Sequence, residues 1–112
     1  MKPSSAKAKG RRLQDEVRKL ILSTFPNLEE DDVKCAIMGE SGEDIHLSPV
    51  ARKLFPFSVE CKNVEKIAMW SSLAQAEANA ERGKPLLVFT RNRSKVYVAL
   101  AFDDFLSLLQ ES

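Results

Sequence analysis

Two short segments in which ionisable and apolar residues alternate, EDIHL at 43–47 and FSVECK at 57–62, constrain this chain more than any other feature. Successive side chains of a β-strand point to opposite faces. Glu60 and Lys62 therefore share one face of the second segment, and Val59 and Cys61 the other. The same alternation sets Asp44 and His46 against Ile45 and Leu47. If the two segments are neighbours, two carboxylates and an ammonium converge at one spot on an otherwise apolar sheet.

Burying such a trio costs several kcal/mol per ion unless something compensates, and a divalent cation between the carboxylates is one compensation. Hard oxygen ligands suit Mg2+ or Mn2+. A bound metal lowers the pKa of its water toward about 7 and polarises a phosphoryl oxygen, while a nearby lysine adds fixed positive charge. These are the parts needed to hydrolyse a phosphodiester.

Asp44, Glu60, Cys61 and Lys62 resemble the active-site signature of the PD-(D/E)xK nuclease superfamily. The surrounding KGRRLQ, GEDI, FSVECKN, AQAEANA and LLVFTRNRSKVYVAL resemble its small, Holliday junction resolvase-like phage members, from Lys9 to Phe105. An ExK triplet alone is weak evidence. The ordered set of aspartate, ExK strand, helix and further strands is more specific. One departure is Glu43, which stands where the family has a proline before the aspartate and leaves open whether it too reaches the ion.

The resemblance implies an α/β (α+β) fold with a restriction-endonuclease-like core: a central mixed β-sheet flanked by helices, in the order α-β-β-β-α-β-β-α. It implies metal ligation by Asp44, Glu60 and the backbone carbonyl of Cys61, with Lys62 stabilising the attacked phosphate. Members place a polar residue of the first helix beside the site, here Gln14 with Glu16 as the charged alternative. Another, from the helix after the ExK strand, points to Gln75. A junction-cutting member acts on branched DNA and cuts two strands symmetrically, which implies a homodimer.

At 112 residues the chain is expected to form one domain. No apolar run approaches the roughly 18 to 20 residues that span a bilayer, and no secretory signal is visible, so a cytoplasmic protein is expected. Cys35, Cys61 and the lone His46 are too few for a structural zinc site, and the cysteines are expected to be buried reduced thiols.

Net charge is only +1, but it is segregated. Residues 1–14 carry Lys2, Lys7, Lys9, Arg11 and Arg12 without an acid, and residues 82–95 carry Arg82, Lys84, Arg91, Arg93 and Lys95 without one. The run Glu29, Glu30, Asp31, Asp32 opposes them. Such segregation suits a face that meets phosphates, and equally a solvated surface. Lys9, Arg11, Arg12, Arg52, Lys53, Arg91, Arg93 and Lys95 are the candidate DNA contacts.

Composition makes residues 1–9 a flexible basic arm ahead of a domain at 10–112. Leu13, Val17, Leu20, Ile21 and Thr24 form the stripe of a helix over 10–24. Strands are expected at 34–38 and 43–47, then a connection at 48–56 that has room for one helical turn, the ExK strand, and an alanine-rich helix over 65–82. Two more strands, PLLVFT and KVYVALAF, flank the turn RNRS. A last helix over 102–109 should pack Phe102, Phe105, Leu106 and Leu109 on the sheet, leaving Leu108 for a partner. Trp70 suits core packing, or stacking on a base. His46 reads as a structural or substrate-side group.

Two other functions fit these residues: a nucleic-acid-binding protein of the same fold without catalysis, and a protein-interaction module. No glycine-rich phosphate loop, Ser/His/Asp arrangement or internal repeat is present.

Overall fold

The computed structural model describes residues 3–37 and 39–111. Its elements run α1 (Pro3–Thr24), a 3-10 turn (Glu30–Asp32), β1 (Val33–Cys35), β2 (Ile45–Leu47), α2 (Pro49–Leu54), β3 (Phe57–Asn63), α3 (Met69–Asn79), β4 (Lys84–Thr90), β5 (Tyr97–Ala99) and α4 (Phe102–Glu111). The expected order of strands and helices is therefore observed, and the connection contains the helical turn allowed for it, as α2. Lys2 of the expected arm and Met38 of the expected first strand lie outside the described residues.

β3 pairs parallel with β4, and β4 antiparallel with β5, giving a mixed three-stranded sheet. The parallel pair needs a crossover, which α3 supplies. β1 and β2 form a separate antiparallel hairpin, with Cys35 opposite Ile45. Its turn contains Gly39 and Gly42 at φ 86° and 98°, values that only glycine adopts freely. The hairpin is joined to the sheet at Asp44, whose N–H donates to the Val59 carbonyl at 2.9 Å and whose carbonyl accepts from Ala36 N–H at 2.8 Å.

One face of the sheet packs on α1. Leu13, Val17 and Ile21 meet Val59, Leu86 and Val88 in the core, as the stripe predicts, although Leu20 is exposed. The other face meets α3 through Ala76 and Leu87. With both faces covered, β3 starts with four consecutive buried residues, Phe57 to Glu60, as parallel strands do.

Several boundaries and packing faces differ from expectation. α1 begins at Pro3 rather than Gly10, and Lys9 is buried within it, 5% exposed, with Nζ 3.5 Å from Glu65 Oε2. Asn63 Nδ2 donates to the Lys9 carbonyl at 2.9 Å, so tertiary contacts hold the helix at Lys9. α3 begins at Met69 rather than Glu65, because Val64 N–H continues the ladder to the Thr90 carbonyl at 3.2 Å. It ends before Gly83, where a Cβ would lie 2.7 Å from the Phe57 carbonyl carbon, so only glycine lets the chain pass.

α4 is rotated relative to the expected packing. Leu108 packs against the core, while Phe102, Phe105, Leu106 and Leu109 are exposed. Trp70 is not a core residue either, at 84% exposed. No helix among the described residues is long and apolar enough to cross a membrane.

Candidate active site

Asp44, Glu60 and Lys62 come together where the hairpin meets β3. Strand alternation carries Glu60 and Lys62 to one face, and Lys62 Nζ lies 3.7 Å from Glu60 Oε2. Asp44 immediately precedes β2 and reaches the same strand, its Oδ2 accepting the Cys61 N–H at 2.7 Å. Glu60 is 5% exposed, and its Oε1 accepts from Asn79 Nδ2 at 3.2 Å.

Burial pushes the carboxyl of Asp44 above its ordinary range, against the opposing pull of the Cys61 N–H and the Lys62 charge. Burial likewise raises Glu60, opposed by the Asn79 hydrogen bond and reinforced by the negative charge of Asp44. Two desolvated carboxylates that repel each other are an arrangement that a cation relieves. Cys35 and Cys61 are free thiols, but each is partly buried rather than buried as expected. Burial and Asp15 push Cys35 up to about 11, so these thiols are poor nucleophiles.

Among the described residues, no cluster of three or more His, Cys, Asp or Glu side chains is placed to hold a metal. The two carboxylates nevertheless fit one type of ion. Mg2+ is bound through one or two carboxylates, keeps several waters and takes further ligands from substrate phosphate. Asp44 Oδ2 accepts from the Cys61 N–H and Glu60 Oε1 from Asn79, while Glu60 Oε2 faces the Lys62 ammonium, so each carboxylate is held in a fixed orientation.

The remaining candidates divide. Gln14 is half-buried and Glu16 exposed, and among the described residues neither hydrogen-bonds to the three central side chains. Gln75 is exposed. The polar residue of α3 that touches the site is Asn79, one turn later on the same helical face, and that i, i+4 spacing is the signal that could have found it.

Glu43 is occupied by partners other than the three central side chains. It is 4% exposed, with Oε1 2.8 Å from Arg52 Nη2 and Oε2 accepting from Ser58 Oγ at 2.6 Å. Arg52 also donates to the Phe57 carbonyl at 2.7 Å, so its guanidinium is committed inside the protein and is not a free phosphate contact. His46 Nε2 lies 3.1 Å from Glu40 Oε1. Lys9 is committed to Glu65. Arg11, Arg12, Lys53, Arg91, Arg93 and Lys95 are exposed.

A family model described as phage putative PDDEXK endonuclease matches residues 5–112. No curated protein and no solved structure matches the chain.

Proposed function

The chain belongs to the phage PDDEXK endonuclease family, and from that premise we propose that it is a Mg2+- or Mn2+-dependent DNA endonuclease acting on branched or junction DNA. The observation that carries the reading is the convergence of Asp44, Glu60 and Lys62 on β3, with both carboxyls raised and the ammonium 3.7 Å from Glu60.

Asp44 and Glu60 hold the ion, with the Cys61 carbonyl as a further ligand. When bound, the ion polarises the phosphoryl oxygen and lowers the pKa of water. Asn79 and the Cys61 N–H hold the two carboxylates in fixed orientations. Lys62 places its charge where negative charge grows on the attacked phosphate, a preorganised interaction whose removal typically costs about 10²–10³ in rate. Exposed Arg91, Arg93 and Lys95 in the β4–β5 turn grip the DNA backbone.

Branched substrates follow from the resolvase-like resemblance and from the little room such a chain has for a sequence-reading domain. What supports a homodimer, needed for paired cuts, is the exposed apolar face of α4. Labelled junction, flap, single-stranded and linear DNA incubated with Mg2+, Mn2+ or EDTA, beside Lys62→Ala, tests the reading. Cleavage by wild type with metal, lost in the variant, is expected. DNA binding with no metal-dependent cleavage favours the non-catalytic alternative.

A further inference from the structure

The register of the sheet places more than Lys62 on the catalytic face. Lys62 lies beside Phe89 in the β3–β4 pair, and Phe89 beside Tyr97 in the β4–β5 pair. Residues directly opposite on neighbouring strands point the same way, so Lys62, Phe89 and Tyr97 form a row across one face. At about 4.8 Å per strand the row is about 10 Å long.

The Phe89 and Tyr97 rings are 6.1 Å apart and inclined by 30°. Phe89 is half-buried, whereas Tyr97 is 53% exposed, so its ring is braced on one side and open to solvent. Both border a hollow of about 300 Å3, together with Ile67, Thr90, Arg91 and Ser94. Glu65, the one acid there, is occupied: its carboxylate accepts the Asn92 N–H at 2.7 Å and pairs with Lys9. The stretch 82–102 has no acidic residue.

An exposed aromatic ring beside the Arg91 guanidinium and the Thr90 and Ser94 side chains has the chemistry of a nucleobase stacking platform. The apolar area of this hollow is too small to seat a protein or lipid partner. Resting on the endonuclease reading above, we propose that this hollow holds one unpaired nucleobase, stacked on Tyr97, while Lys62 faces the scissile phosphate on the same strand. The substrate class is then branched DNA whose branch point leaves a nucleotide unstacked, such as a flap or fork, in preference to continuous duplex.

The test uses the full chain carrying Lys62→Ala, with Mg2+, and DNA containing 2-aminopurine either unpaired at a flap junction or paired in linear duplex. The flap is expected to bind more tightly, with its 2-aminopurine quenched. Tyr97→Ala should lose the quenching and weaken flap binding roughly five- to a hundredfold, leaving duplex binding unchanged. Tyr97→Phe and Tyr97→Trp should retain both, which excludes misfolding as the cause. Equal binding of flap and duplex, or an unaltered preference in Tyr97→Ala, overturns the platform; metal-dependent cleavage by wild type would then leave the endonuclease reading standing. Absence of any DNA binding overturns both.

Discussion

The carboxylate of Asp44 accepts a hydrogen bond from the backbone N–H of Cys61 at 2.7 Å, which ties the residue ahead of β2 to the middle of the ExK strand. The bond runs between hairpin and sheet, beside the backbone link from Asp44 N–H to Val59. Any motion of the hairpin against β3 would separate the two carboxylates, so these two bonds hold the site together.

Stability should depend on pH through this pair. Both carboxyls are raised, so the folded chain binds their protons more tightly than the unfolded chain does. Their contribution is fully present below the ordinary values of 3.8 and 4.5 and is lost as pH rises through the raised values. Without divalent metal at neutral pH, Glu60→Gln should melt a few degrees above wild type, and the gap should close on acidification. Mg2+ should raise the melting temperature of wild type and not of the variant. Differential scanning fluorimetry across pH and metal reads all three.

The Glu43–Arg52 pair is internal, with side chains 5% and 15% exposed. Removing one partner of a buried pair leaves the other uncompensated and costs about 3–5 kcal/mol. Glu43→Ala and Arg52→Ala should each lower urea-derived stability by about that amount. The double variant should lose far less than the sum of the two. Additive losses would show that the pair is not coupled.

Much of this was legible in letters. Strand alternation forecast the meeting of Glu60 and Lys62, and the period of Leu13, Val17 and Ile21 forecast the face of α1. Partners distant in sequence were not legible. Nothing local reveals that Lys9 is captured by Glu65, 56 residues away, or that Arg52 is spent on Glu43 rather than on phosphate. The family resemblance pointed to a polar residue of α3 and to Gln75, whereas Asn79, one turn later, is the one that reaches Glu60.

The rotation of α4 has the same origin, because a helix with apolar residues on more than one side does not announce which side meets the sheet. Leu108 packs on the core and Leu109 is 58% exposed. Leu108→Ala should therefore cost about 1–3 kcal/mol, and Leu109→Ala less than about 0.5 in the monomer. If the exposed face joins two copies, Phe105→Glu with Leu109→Glu should yield monomers in analytical ultracentrifugation at concentrations where wild type sediments as a dimer. Identical sedimentation of the two would remove α4 from the interface.

The central claim is that Asp44 and Glu60 grip the same cation, and calorimetric titration with Mn2+ tests it most directly. Wild type should bind, Asp44→Asn and Glu60→Gln should each abolish binding at the site, and the double variant should be no worse than either. Retention of wild-type affinity in either single variant, or independent losses that add in the double, would contradict it.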